Sequence, residues 1–261
     1  MPWLSVVTVV KDDHVGFART RDSLFAQDVS GVEWVVVDGS RDSDAIPAAL
    51  APAAVPVTYR HEPPMGIYTA MNSALGLASG EYVYFLNAGD ALLSPTVLAR
   101  VRESLGAEAV WGFGSVEVEE VGGRVVTTPG WDYRVEQRLG FSRGFFPPHQ
   151  GTFTRTSALR NVGGFDTGYR VAADYAAFLK LSRRADPVEL PFVIARFREG
   201  GMSTTRWQAS FREFHRARRE ILRPTGIMAL RERWESARHY GLVYAHREVR
   251  PLLSRRTSRS S

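Results

Sequence analysis

The sequence contains no cysteine, which excludes a disulfide framework and thiolate chemistry. Lysine is nearly missing as well: Lys11 and Lys180 are the only two, so arginine carries the positive charge. No apolar run approaches the ~20 residues needed to span a bilayer; the longest, Leu4–Val10, has the length of a strand. No basic segment precedes an apolar one at the start, so no secretory signal is expected. The phosphate-loop pattern GxxxxGK[ST], a GxGxxG after the first strand, HExxH and GxSxG are all missing. The string GFGSVE falls inside a strand pattern and is no phosphate loop.

What is present fits a soluble globular chain of one large domain, or one domain with an appendage. Of 261 residues, 44% are hydrophobic and 23% charged, enough apolar material for a substantial core. The net charge of +5 is unevenly spread: residues 206–261 hold 14 arginines against 5 glutamates, a net of +9 that leaves −4 for the remainder. The basic segment is either a solvated helix face or a surface for an anionic partner. A cytoplasmic protein is expected, either free or peripheral on the inner face of a membrane.

Hydrophobic periodicity gives the order of elements. Buried-type strands are read at Leu4–Val10, Glu33–Val37, Val55–Tyr59 and Glu81–Leu86, with helices at Ile67–Ala78 and Pro95–Leu105 between or after them. Strand–helix alternation at this spacing predicts an α/β fold whose mostly parallel sheet is flanked by helices. A hairpin is expected over Val110–Val118 and Val121–Thr128, a helix over Ala173–Arg183, and a strand over Val188–Phe197. Trp207, Phe211, Phe214, Ile221 and Leu222 lie on one stripe of an amphipathic helix with arginines opposite, and Met228–Tyr240 reads as a further helix. The expected division is therefore a catalytic domain over residues 1–205 and a basic helical extension over 206–261, disordered at its end.

Ligands of open α/β sheets bind beyond the carboxyl ends of the strands. Asp38, which opens DGSRDSD, and Asp90, which closes FLNAGD, each follow such an end. Either is equally readable as a turn residue. As a functional group, Asp90 suits a hard divalent ion, which takes one or two protein carboxylates plus substrate phosphates. Asp174, in RVAADYAAFLKL, stands at the start of an apolar helix, where it serves the helix dipole or acts as a general base. His149, in PPHQGTF, is structural or functional on these grounds alone.

The ordered segments SVVTVVKDD, EWVVVDGSRD, EPPMGIYTAMNSALGLASGEYVYFLNAGD and HQGTFTRTSALRNVGGFDTGYRVAADYAAFLKL resemble family 2 glycosyltransferases. The resemblance runs from about Leu4 to Ser203. It implies the GT-A fold and transfer of one hexosyl or deoxyhexosyl unit from a nucleotide-diphosphate sugar to an acceptor hydroxyl, with inversion. The acceptor would be a glycan, a glycolipid or the aglycone of a natural product. By position, Asp38 would contact the nucleotide base, with Thr8 and Val10 lining its pocket. Gly66, Ile67, Tyr68 and Asn72 would lie by the donor sugar and diphosphate. Asn87 and Asp90 would hold the donor, Asp90 through Mn²⁺ or Mg²⁺. Asp174 would be the catalytic base, His149 and Gln150 would lie on the acceptor side, and Gly200–Ser203 would close over the site.

The match departs from the family in places. Asn87 and Gly89 stand where relatives often carry acids, and Pro64 and Thr69 stand where many have Asp. The QxxRW motif of processive synthases is missing, which implies one sugar per acceptor. UDP is the expected nucleotide, with dTDP and GDP as alternatives. Two other readings stand beside transfer: a sugar nucleotidyltransferase, disfavoured by the lack of an early Gly-rich loop with Arg and Lys, and a degenerate nucleotide-sugar-binding partner subunit. The basic tail has no recognisable nucleic-acid module, so no nucleic-acid partner is expected. The aromatic loop around Phe141, Phe145, Phe146 and Pro147-Pro148 is expected to receive a lipid-linked or aromatic aglycone.

Overall fold

The computed structural model describes residues 1–42, 44–120, 122–128, 133–134, 141, 146–198 and 207–245, of Trp207 the backbone alone. The first half is a wound α/β unit. Its elements are β1 (Leu4–Val10), α1 (His14–Phe25), β2 (Val32–Asp38), α2 (Ala45–Leu50), β3 (Val57–His61), α3 (Ile67–Leu77), β4 (Tyr82–Phe85), the short β5 (Ala91–Leu92) and α4 (Val97–Leu105). The second half adds β6 (Trp111–Glu119), β7 (Val125–Thr127), a single 3₁₀ turn (His149–Gly151), β8 (Thr152–Arg155), α5 (Thr156–Asn161), α6 (Ala173–Ser182), β9 (Val188–Arg198), α7 (Trp207–Leu222) and α8 (Gly226–Tyr244).

One sheet runs in the order β3-β2-β1-β4-β8-β6-β9-β5, with β7 paired to β6. β1, β2, β3 and β4 are parallel, as the strand–helix alternation requires. Beyond β4 the sheet is mixed. β8 is antiparallel to both β4 and β6, β9 is parallel to β6, and β5 and β7 pair antiparallel. The difference from a mostly parallel sheet comes from β8, which reaches β4 from the long 120–150 connection rather than from a crossover helix. A connection that returns without a crossover brings the strand back antiparallel, as β8 to β6, whereas a βα crossover yields a parallel neighbour.

The continuous apolar run of β1 is explained by cover on both faces. Val7 and Val9 belong to one core with Val35, Val37, Phe85, α3 and α6. Leu4, Val6 and Val10 belong to the other, with Trp34, Val36, Phe17 and Leu24 of α1, and α4. Trp34 is fully buried, stacks on Phe17 at 5.3 Å, and donates its indole N–H to Thr8 Oγ1 at 2.9 Å. Truncating such a side chain costs about 3–5 kcal/mol.

α7 lies against α6 and closes the first core, placing the buried Ala217 and half-buried Phe214, Ile221 and Leu222 into it. Phe214 lies 4.6 Å from Tyr175 and 5.4 Å from Phe146. Phe141 is fully buried in the same core. Phe141 is therefore a core residue, and the expectation that it receives an acceptor is corrected, since its ring is covered by protein; Phe146 is half-buried against the same core. Phe145, Gly200–Ser203 and residues 246–261 lie outside the described residues.

Candidate active site

The strand ends converge on one rim. In register, Val10 pairs with Asp38 and Asp38 with His61, so β1, β2 and β3 stop at one level. Beyond β4 the chain stays beside β1, with Leu86 N donating to Val7 O (2.9 Å) and Ala88 N to Val9 O (3.2 Å). The turn 87–90 thus lies on the rim that carries Asp38, as the topology predicts.

Asp38 is fully buried, and both its oxygens are engaged. Oδ1 accepts from Ser40 N at 2.8 Å and Oδ2 from Tyr59 Oη at 3.0 Å. Burial, together with the Asp38 carboxylate, pushes the Tyr59 hydroxyl up to about 12, so it remains a donor. The DGS segment is tied further to the end of β1 through Asp12 N donating to Ser40 Oγ (2.8 Å) and Arg41 N donating to Asp12 Oδ1 (2.9 Å). Thr8 is also buried. Its hydroxyl donates to Leu86 O (2.7 Å) while accepting from Trp34, so it bridges β1, β2 and the end of β4; Val10 packs in the core beside it.

The 87–90 turn is gripped from α1. Thr20 Oγ1 accepts from Gly89 N (3.1 Å) and donates to Asp90 O (2.7 Å), with Asn87 O also within 3.1 Å. Sequence reading missed Thr20, although a signal exists. It falls on the Phe17–Leu24 stripe, where a hydroxyl must find a partner to be buried at all. Asp13 caps α1 by accepting from Gly16 N (2.8 Å), and its other oxygen would lie 3.7 Å from a Cβ on Gly89.

Asp90 is buried, and burial pushes its carboxyl up to about 7 against the opposing pull of His149 and Arg19. Beside it, Asn87 turns Nδ2 toward His149 Nε2 (3.2 Å) and leaves its buried Oδ1 without a hydrogen-bond partner. A desolvated carboxylate next to an orphaned amide oxygen suits a hard divalent cation that completes its shell with phosphate oxygens. Among the described residues no cluster of three or more acids or histidines exists, so the protein itself would supply few ligands.

The second carboxylate sits opposite, in the first turn of α6, where the helix dipole favours negative charge. Asp174 Oδ1 accepts from Tyr68 Oη at 3.1 Å, and Oδ2 lies 3.3 Å from His149 Nδ1. Burial and the Asp174 charge raise the Tyr68 hydroxyl well above its ordinary range, so it donates. With Nδ1 donating to Asp174, the lone pair on Nε2 accepts from Asn87. A polar chain Tyr68–Asp174–His149–Asn87 then links α3, α6, the 3₁₀ turn and the β4 end. Gly151 permits it: a Cβ there would strike the carbonyl oxygen of Gly114 on β6 and displace the turn that carries His149.

Other predicted residues have different places. Asn72 clasps the backbone of Phe165, donating to its carbonyl (2.6 Å) and accepting from its N–H (2.9 Å), which fixes α3 to the segment before α6. Gly66 precedes α3 with φ 110, Ile67 packs on the core, and Gln150 accepts from Tyr84 Oη through its carbonyl (2.7 Å). Glu213 of α7 was not singled out in the sequence. It accepts from the N–H groups of Arg170 and Val171 (2.9 Å each) and Ala172 (3.1 Å), clamping the approach to Asp174.

A buried acid poised for a cation and a second carboxylate held by Tyr68, His149 and the backbone N–H of Tyr175 together form a site that can bind a phosphorylated ligand and accept a proton near it. The chain is similar to known glycosyltransferases. The model of the family described as "Glycosyl transferase family 2" matches residues 5–163. An uncharacterized glycosyltransferase of Mycobacterium tuberculosis is 32% identical over 217 residues, 78% of either chain. A PGL/p-HBAD biosynthesis glycosyltransferase of Mycobacterium bovis is 28% identical over 193 residues, covering 70% of this chain and 72% of that one. Among solved structures, S. aureus TarS 1-349 in complex with UDP superimposes with a TM-score of 0.67 at 17% identity, over 96% of this chain and 74% of that one. The mannosyltransferase PcManGT from Pyrobaculum calidifontis, in complex with GDP-Man and Mn²⁺, gives 0.64 at 17% identity, over 99% and 79%. On its fold, its site and these relatives, the chain belongs to glycosyl transferase family 2 and is a glycosyltransferase of the GT-A fold.

Proposed function

We propose that the chain transfers a single sugar, with inversion, from a nucleotide-diphosphate sugar to the hydroxyl of a glycan, glycolipid or natural-product acceptor. The observation that carries this reading is the placement of Asp174. Its carboxylate is held between Tyr68 Oη and His149 Nδ1, and His149 in turn meets Asn87 of the turn that bears Asp90. A base and a diphosphate anchor are thus fixed relative to each other by one hydrogen-bonded chain.

An acceptor hydroxyl is barely acidic, so its attack gains from a carboxylate that takes the proton as the bond forms. Asp174 receives that proton, the acceptor oxygen bonds to the anomeric carbon, and the bond from that carbon to the diphosphate oxygen breaks on the opposite face. Tyr68 and His149 hold the two carboxylate oxygens so that Asp174 does not rotate away from the acceptor. Asp90 and Asn87 Oδ1 would hold Mn²⁺ or Mg²⁺, which when bound neutralises charge on the departing diphosphate.

UDP is the preferred nucleotide of this reading. TarS is described with UDP and UDP-GlcNAc and PcManGT with GDP-Man, so GDP remains a second choice and dTDP a third. The chain is read as cytoplasmic, peripheral on a membrane through its basic C-terminal helices. Among the described residues no helix is long and apolar enough to cross one.

Calorimetric titration of UDP, GDP and dTDP into wild type and Asp90→Asn, with and without Mn²⁺, tests the donor half. One nucleotide should bind best and only with metal, and Asp90→Asn should lose the metal dependence. Failure of all three under every condition would return the chain to the reading of a degenerate relative that depends on a partner subunit.

A further inference from the structure

The last helix, α8, is packed inside out. α8 turns Glu232 and Glu235, both buried, and the half-buried Ser236 and His239 toward the protein. There Arg218, itself 2% exposed, donates to Glu232 (2.7 Å) and Ser236 (2.6 Å). The opposite side carries Ile227, Leu230 and Trp234, exposed to 82%, 66% and 62%. Their spacing of three and four residues aligns them in one stripe. An amphipathic helix on a soluble body normally buries this face; here the interior contacts are ionic, and the apolar face is left without cover.

Charge marks what would cover it. The four acids of α7 and α8 are all engaged: Glu213 by backbone N–H groups, Glu220 by Tyr169, Glu232 by Arg218 and Glu235 by Arg238. At the junction of the two helices, Arg219, Arg223 and Arg233 line a cavity of about 280 Å³ with Thr225. Its acid, Glu232, is already held by Arg218. Among the described residues no carboxylate forms an ion pair with any of these three arginines. Arg238 lies over the Trp234 ring at 5.6 Å, and the exposed Arg231 and Arg233, each one residue from a stripe member, stand on either flank of the apolar stripe.

We infer that α8 is a docking face for an anionic phospholipid bilayer. Ile227, Leu230 and Trp234 would enter the headgroup–acyl boundary, and the arginine cavity would receive a lipid phosphate. A second copy of the chain fits less well, because it would bring the same arginines to the same face. Interfacial helices combine an apolar stripe with arginines that attract acidic lipids in this way. α7 joins this face to the site: its Glu213 clamps the backbone leading to Asp174. The inference rests on the peripheral placement proposed above, and it assigns the residues that achieve it.

The test is co-sedimentation of the full chain with vesicles of phosphatidylcholine alone and of phosphatidylcholine with about one third phosphatidylglycerol, at low and high salt. Wild type, Leu230→Ser/Trp234→Ser and Arg219→Gln/Arg223→Gln/Arg233→Gln are compared. Wild type should prefer the anionic vesicles by about tenfold or more, weakened by salt, and each variant should lose about tenfold. Variants that bind as wild type does would overturn the inference and move binding to the basic segment 246–261. So would a wild type that ignores both vesicles but forms a dimer that Leu230→Ser/Trp234→Ser dissociates. UDP calorimetry on the same samples separates a failed docking face from a failed sugar-transfer reading.

Discussion

The hydroxyl of Tyr68 donates to Oδ1 of Asp174 at 3.1 Å, joining the first turns of α3 and α6, which are 106 residues apart in the chain. The contact is one side-chain part of the grip on the proposed base; His149 supplies the other from the 3₁₀ turn, and the Tyr175 N–H donates to the same Oδ1 at 2.8 Å. Removing one donor should therefore loosen the carboxylate without removing it.

Tyr68→Phe should lower kcat by roughly ten- to a hundredfold with little change in donor affinity, since a hydrogen bond to a charged group contributes about 1.5–3 kcal/mol. Asp174→Asn should abolish turnover and still bind nucleotide. Steady-state kinetics paired with calorimetry distinguishes the two. Full turnover in Asp174→Asn would remove the base assignment.

Thr20→Val keeps the shape of the buried hydroxyl but leaves Gly89 N–H without its acceptor. We expect a stability loss of about 1–3 kcal/mol and weaker metal-dependent nucleotide binding, because the 87–90 turn would no longer be pinned to α1. Thermal unfolding and calorimetry read the two effects. Unchanged nucleotide affinity would show that the turn holds its shape by itself.

Glu213→Ala should leave three N–H groups before α6 without their acceptor. Turnover should fall more than donor affinity, as α7 supports the Asp174 side of the site and does not touch the 87–90 turn. A variant that loses donor binding and kcat equally would indicate general unfolding instead, which circular dichroism would register.

His239, half-buried against Phe211 at 4.9 Å, titrates below its ordinary value because burial, with Arg218 and Arg238 nearby, disfavours its charged form. Its folded pKa is lowered, so neutral His239 is favoured in the folded state. The resulting penalty begins below the unfolded value and grows as pH falls through the folded one. Melting temperature should drop as pH falls below about 6.5, the ordinary histidine value, and His239→Gln should show a shallower drop. Equal slopes would assign the acid sensitivity to other groups.

The sequence alone determined the order of the wound half, because a strand covered on both faces must read as an unbroken apolar run and a crossover helix must follow it. Leu4–Val10 and Ile67–Leu77 are legible on those grounds, and so is the arrival of Asp38 and Asp90 at one rim. Sequence periodicity also found the stripe of α7. It did not reveal that α8 faces its acids inward, because the choice of face depends on Arg218, which sits on another helix. Nor could it reveal that Asp38 and Thr8 spend their polar atoms within the protein, that Asn72 clasps Phe165, or that His149 stands between Asp174 and Asn87. Each of these depends on partners 25 or more residues away or on a backbone turn. Local pattern fixes which face of an element is apolar; only the packed chain decides which polar atom meets which.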